Sequence, residues 1–368
     1  MTLVPAPSHS VHQAHDSHAA HLHAVEALLT DRLADLGTQW RRGTAVADTV
    51  LGDDDVPELL TTLVMSGGKR LRPQMCWWGW VAAGGCDDSP DLVRLSTALE
   101  LLHAFGLAQD DVMDESALRR GVPTVHVRAG RRHRGAGATG DDRRYGESIA
   151  VLAGDLAHVE AGALVSGLPA PVRTLWWQMS VELVRGQARD LSAAALTSPD
   201  DAIGQALEVA HAKSGAYTIQ RPLELGATLG GAGQDVVTAL GRYGRLLGEA
   251  FALRDDLLGV WGDPDVTGKP SSDDLTAGKA TVLLALAEQR CTGPARAAVD
   301  RMRGNSHDGD DVEVVRKAME SEGVRDLVEQ RITRAVTDAH AVLRSAPLPP
   351  AAVEGLEAVS ERIAWRRV

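Results

Sequence analysis

The chain has 368 residues, long enough for one large domain or two ordinary ones, and its 44% apolar content supports a sizeable buried core. Fifty Asp and Glu against thirty-eight Lys and Arg leave a formal net charge of −12, which argues against a nucleic-acid partner because phosphate backbones attract clustered cations. Aromatic residues make up only 4% of the chain, and a composition rich in Ala, Leu and Gly but poor in Phe and Tyr favours helix over sheet.

The first stretch, MTLVPAPSHSVHQAHDSHAAHLHA, has neither a basic leader nor an apolar core, so it does not read as a secretory signal. Residues 1–22 read as a flexible His-rich tail carrying His9, His12, His15, His18 and His21. Helical periodicity starts near His23, and residues 23–368 read as one domain of successive helices. The breaks between helices are GDDDVP (52–57), GGCDDSP (84–90), SGLPAP (166–171) and TSPDD (197–201). The basic, Gly-rich stretch 127–144 is expected to be a long loop. No alternating β-branched run is long enough for a sheet, so the fold class is all-α, an antiparallel helix bundle. No run of about 20 uninterrupted apolar residues is present, so no transmembrane segment is expected. Cys76, Cys86 and Cys291 show no metal-ligand spacing, and a reducing cytoplasm is their natural setting.

Residues 92–116 carry apolar side chains at 92, 95, 99, 102 and 105, a helical stripe that ends in Asp110, Asp111 and Asp114. Asp110 and Asp114 are one turn apart on one face, where bare carboxylates repel and a hard cation with oxygen ligands relieves them. A second apolar helix, 246–264, carries Asp255 and Asp256, with Asp263 a further contributor if the helix runs through Gly262. Facing one cavity, the two clusters would hold several Mg²⁺ ions that clamp a diphosphate. Basic residues recur beside them: Lys69, Arg70 and Arg72 in GGKRLRP, then Arg119 and Arg120, Lys213 with Ser214, and Lys269.

GGKRLRP, ELLHAFGLAQDDVMD, ALRRGVPTVH, YGESIAVLAGDL, ELVRGQARDL, HAKSGAY and FALRDDLLGVWGDPDVTGKPSSDDLTAGKAT occur in this order over roughly residues 60–285. In that series the chain resembles the trans-isoprenyl diphosphate synthases of the polyprenyl synthetase family, most of all bacterial geranylgeranyl diphosphate synthases. The resemblance implies antiparallel helices around a deep central cavity, usually in a homodimer. It implies a transferase that joins isopentenyl diphosphate to an allylic diphosphate (dimethylallyl, geranyl or farnesyl), with three Mg²⁺ ions once substrate is bound. By resemblance, Asp110, Asp111, Asp114, Asp255 and Asp256 bind metal, supported by Gln187 and Asp190. Lys69, Arg72, His103 and Arg120 match the isopentenyl diphosphate site. Arg119, Lys213, Ser214 and Lys269 match the allylic diphosphate site, and Lys279 matches a further phosphate-contacting lysine less closely.

Gly106 lies one turn before Asp110 on the same face and leaves room for a prenyl tail, while Phe105 matches the family's bulky chain-length stop. DDVMD lacks a two-residue insertion, and together these features favour a C20 product, with C15 next. The sequence departs from the family at Gly259 in the second Asp motif, at Ala252 in FALRDD, and in the second half of GDLAHVEAGAL. On those departures two other readings stay open: a terpene cyclase-like lyase acting on a single allylic diphosphate, and a non-catalytic regulatory subunit of a prenyl synthase.

Overall fold

The computed structural model describes residues 11–42, 50–85, 89–195, 201–263, 273–276, 278–304, 306 and 308–366. Its elements begin with α1 (Val11–Arg41), α2 (Val56–Met65), α3 (Leu71–Ala82) and α4 (Pro90–Met113). A hairpin of β1 (Leu118–Arg119) and β2 (Val122–Pro123) follows, then α5 (Val125–Gly135), α6 (Asp142–Ser166) and α7 (Ala170–Ala195). Next come α8 (Ala202–Ala210), a π-helix (His211–Gln220), α9 (Arg221–Leu229) and α10 (Gln234–Trp261). The main later helices are Val282–Arg290, Gly293–Arg303, Gly309–Ser321, Val324–Ser345 and Pro350–Ala364. The fold is all-α, with the antiparallel β1–β2 pair as the one sheet among the described residues.

The chain packs as two compact units, each discontinuous in sequence. The first holds His18–Gln74 and Asp87–Arg173; the second holds the described parts of Met1–Ser17, Met75–Cys86 and Thr174–Val368.

In the first unit, α4 starts where Ser89 accepts from the Leu92 amide and Pro90 occupies the first turn. The stripe Leu92, Leu95, Leu99 and Leu102 is buried, as its spacing predicts. Two expectations fail here. Helix α1 begins at Val11, twelve residues before the expected start, because nothing between Val11 and His23 breaks a helix; the prolines Pro5 and Pro7 lie upstream. Within that added stretch His21 is buried and bonded at 3.0 Å to Ser96 of α4. The expected loop 127–144 is instead mostly helix, with only residues 136–141 joining α5 to α6. One glycine of the stretch serves a helix crossing: a Cβ on Gly130 would press on the Asp142 carbonyl, as one on Gly146, just beyond the stretch, would overlap the His126 carbonyl, whereas Gly135, Gly137 and Gly140 have open space. Its arginines are drawn onto carboxylates, Arg128 and Arg132 onto Asp54 and Arg134 onto Asp142.

Helix α6 is long and apolar enough to cross a membrane by length and composition. It carries the buried Glu160, paired with Arg32 of α1, and fewer than half of its apolar window's residues are buried.

In the second unit, glycine again sets the helix spacing. Gly79 of α3 lies against the Leu223 carbonyl of α9, and Gly226 of α9 against the Cys76 carbonyl of α3. Gly355 lies under the ring of Trp78, which is 1% exposed. The buried Tyr243 hydroxyl donates to the Leu356 carbonyl at 2.8 Å and pairs with Ser360 at 2.9 Å, fastening α10 to the last helix.

Two stability outcomes are expected. Gly226→Ala forces a methyl into a backbone carbonyl and should cost about 3 kcal/mol in urea denaturation; a change below about 0.5 kcal/mol would contradict the crossing. His21 is held neutral, its pKa pushed down to about 3 by burial and then by His18. An unfolded histidine takes up a proton below about pH 6.5, so His21 weakens the fold as pH falls through that value and has no effect above it. His21→Gln should therefore shrink the stability lost between pH 7 and 5.5 by about 1 kcal/mol.

Candidate active site

The first acidic motif sits at the C-terminal end of α4. Asp114 is the C-cap, its amide bonded to the Asp110 carbonyl, so Asp110 and Asp114 stack at the helix end as the spacing predicts. Asp111 is 1% exposed, and both its oxygens accept from Arg119 at 2.5–3.0 Å. Arg119 also approaches Asp110 at 3.9 Å. The β-hairpin delivers this arginine: Arg119 ends β1, and Arg120 (φ 52°) with Gly121 (φ 76°) forms a two-residue turn with both residues left-handed. Thr124 donates to the Ser116 carbonyl at 2.8 Å and closes the base of the hairpin.

Seven residues before Asp110 on α4, His103 is ringed by Arg72, Arg120, Arg119 and Arg70. Burial first, and then these four guanidiniums, hold its pKa well below the usual histidine range. Burial and then Arg119 also lower the pKa of Arg120. Arg72 is buried, while Lys69 and Arg120 are exposed. Lys69 lies on a loop of left-handed backbone, Gly67 (φ 92°), Gly68 (φ 146°) and Arg70 (φ 45°), with the Arg120 guanidinium against Gly68. This gathering of cations in an acidic chain is a ready seat for an anion.

One turn before Asp110, a Cβ added to Gly106 would meet nothing within 4 Å. Phe105 stacks on His158 of α6, ring centroids 5.0 Å apart.

In the second unit, Lys213 lies in the π-helix and donates to Asp190 of α7 at 2.6 Å. Gln187 and Ser214 are partly exposed nearby in sequence, on α7 and in the π-helix. Asp255 on α10 is half-exposed and ion-paired with Arg366, whose guanidinium lies 4.4 Å from the Phe251 ring centroid. Asp256 is partly exposed, and Ala252 is buried in α10. Helix α10 stops at Trp261, and Gly262 turns to extended backbone, so Asp263 falls outside the helix and off its carboxylate face. Lys269 lies outside the described residues, and Lys279 is partly exposed.

Sequence reasoning missed Arg254 and Arg366. Arg254 donates to the Ala364 carbonyl at 2.6 Å and to both oxygens of Glu329, and it lies 5.5 Å from the Trp365 ring centroid. It thereby brings the chain's end to Asp255, where Arg366 pairs. The signals were Arg254 immediately before Asp255, and AWRRV directly after an amphipathic helix.

Among the described residues no three His, Cys, Asp or Glu side chains gather to hold a metal by themselves. Mg²⁺ takes one or two carboxylates and completes its shell with water and substrate phosphate. The all-oxygen donors Asp110, Asp111 and Asp114 fit such an ion, as do Asp255 and Asp256.

Residues 53–321 match the Polyprenyl synthetase family. Geranylfarnesyl diphosphate synthase of Aeropyrum pernix is 31% identical over 77% of this chain and 86% of its own length. A (2E,6E)-farnesyl diphosphate synthase of Mycobacterium tuberculosis is 33% identical over 73% of this chain and 72% of its own. Among solved structures, geranylgeranyl pyrophosphate synthase of Corynebacterium glutamicum, complexed with isoprenyl diphosphate and magnesium, superimposes with a TM-score of 0.83 at 36% identity. That alignment covers 93% of this chain and 98% of that one. The chain belongs to the polyprenyl synthetase family.

The pairs Asp111–Arg119 and Asp190–Lys213 set carboxylates against the cations assigned to phosphate. A metal taking the carboxylate frees the cation for diphosphate, and diphosphate taking the cation frees the carboxylate. Mg²⁺ and inorganic pyrophosphate together should therefore raise the melting temperature by more than the sum of their separate effects. A merely additive shift would sink this exchange.

Proposed function

We propose that the chain is a Mg²⁺-dependent trans-prenyltransferase of isoprenoid biosynthesis, condensing isopentenyl diphosphate with an allylic diphosphate to give a trans-prenyl diphosphate, C20 geranylgeranyl diphosphate. The observation that carries this reading is the arginine-ringed His103, an anion seat beside the carboxylate motif of the same unit. A cyclase acting on one diphosphate has no use for a second seat, and a regulator has no use for either.

Asp110, Asp111, Asp114, Asp255 and Asp256 are the residues to hold Mg²⁺, with Gln187 and Asp190 in support. Bound there, Mg²⁺ supplies neutralising charge to the diphosphate of the allylic substrate. Arg119, Lys213, Ser214 and Lys269 grip that diphosphate as the allylic C–O bond breaks and its electron pair leaves with the oxygen. Lys69, Arg72, His103 and Arg120 hold isopentenyl diphosphate so that its double bond meets the allylic cation and forms the new C–C bond. A neutral imidazole at His103 offers a hydrogen bond without adding charge. The proton then lost goes to the released diphosphate, and cations fixed where charge develops supply most of the rate.

The open space at Gly106 and the Phe105–His158 stack support a tail-length limit near C20. The catalytic body is residues 23–368, with His21 of the preceding stretch packed against it through Ser96. Exposed apolar side chains at helical spacing on α7 (Trp177, Val181, Val184, Leu191) and on α6 (Leu152, Val159) support a homodimer. The buried Cys291 thiol supports a cytoplasmic setting.

With Mg²⁺ and farnesyl diphosphate, mass spectrometry should show a C20 diphosphate only when isopentenyl diphosphate is added. A hydrocarbon or alcohol formed without it would replace this reading with a cyclase. Asp110→Ala should lower turnover by about 10³-fold, and Gly106→Phe should shift the product towards C15.

A further inference from the structure

GGKRLRP contains one cation to which no role has been assigned. Arg70 does not share the exposure of its neighbour Lys69; its side chain is 10% exposed and turned inward. Its Nε and Nη2 donate to Glu26 of α1 at 2.6 and 3.2 Å, and Nη1 donates to Glu100 of α4 at 2.8 Å. Nη2 also donates to the Val64 carbonyl in the last turn of α2 at 3.1 Å, an acceptor that the helix itself leaves open. One guanidinium thus ties three helices to one loop. The planar fork of arginine can do this and the point charge of lysine cannot.

The loop it anchors is not one that a chain adopts unaided. Gly67, Gly68 and Arg70 all have φ between 45° and 146°, and for arginine that region is sparsely populated. The next contacts continue into α3: the Gln74 amide donates to the Arg70 carbonyl at 3.1 Å, and the Gln74 side chain donates to the Lys69 carbonyl at 2.5 Å. Glu100 lies one helical turn before His103, so the carboxylate that fixes Arg70 and the imidazole assigned to substrate share one face of α4.

We propose that Arg70 is a positioning residue whose side chain, clamped by Glu26, Glu100 and the Val64 carbonyl, holds the 67–70 backbone in the left-handed form that sets Lys69 and Arg72 around the diphosphate of isopentenyl diphosphate. Two functions are thereby divided within one motif: Lys69 and Arg72 touch substrate, and Arg70 touches only protein. The inference rests on the isopentenyl diphosphate site proposed above.

Arg70→Ala alone strands the buried Glu100 and can unfold the unit, so the decisive variant is the pair Arg70→Met with Glu100→Met, which replaces the ion pair by apolar side chains of similar size. Steady-state kinetics and thermal melting of this double variant are compared with Arg70→Lys and with Lys69→Ala and Arg72→Ala as controls. The expected result is a KM for isopentenyl diphosphate raised about 10-fold or more at a near-native melting temperature, with the KM for farnesyl diphosphate within about twofold of the parent. Arg70→Lys, which keeps the charge and loses the fork, should move the same KM in the same direction. A parental KM in the double variant, with both controls impaired, overturns the clamp and leaves the site reading intact. If Lys69→Ala and Arg72→Ala also leave that KM unchanged, the site reading falls and the clamp falls with it. Equal rises in both KM values would mark Arg70 as a general scaffold residue and likewise overturn the proposal.

Discussion

Each unit holds its candidate site carboxylates in ion pairs with cations. Asp111 is held by Arg119, Asp190 by Lys213 and Asp255 by Arg366. Carboxylates crowded at helix ends are unstable alone, and so are guanidiniums crowded around one imidazole; each set makes the other tolerable. The pairing also fixes local structure. Arg119 reaches Asp111 from the end of β1, and Arg254 grips the end of the last helix, beyond which Arg366 pairs with Asp255. Removing charge from either set would therefore disturb shape as well as electrostatics.

A second constraint is the backbone-to-backbone approach of helices at glycine. Gly79 and Gly226 in one unit, and Gly130 and Gly146 in the other, sit where a methyl would meet a carbonyl of the facing helix. These positions govern the spacing between those helices.

Much of this could be read from the sequence. The helical periodicity and the absence of alternating β-branched runs predicted the fold class, and the α4 stripe is buried as its spacing predicts. The misses share a cause: local composition was read where tertiary contact decides. Histidines before residue 23 looked like a tail, yet His21 is buried against Ser96. Glycines and arginines between 127 and 144 looked like a loop, yet Gly130 lets two helices cross and Arg128 and Arg132 reach Asp54. Arg366 lies 111 residues from Asp255 in sequence, a separation that no local pattern bridges. Gly262 was the ambiguous residue in the second motif, and it ends the helix rather than extending it.

The π-helix imposes a different kind of requirement, one of length rather than chemistry. On α7, Glu182 and Asp190 are eight residues apart; on the segment facing them, Lys213 pairs with Asp190 and Arg221 with Glu182, again eight apart and running the opposite way. Between these fixed points Gly186 lies against the backbone at Ala212 and Lys213. The two ion pairs act as the end marks of a ruler, about 12 Å long on α7 at 1.5 Å per residue. Within the interval the helix is widened, and losing a single residue would turn one end relative to the other by about 100° and pull one mark off its partner. The number of residues in this stretch is thus fixed along with the side chains at its ends, so an insertion or deletion between residues 213 and 221 should pull one of the two ion pairs apart.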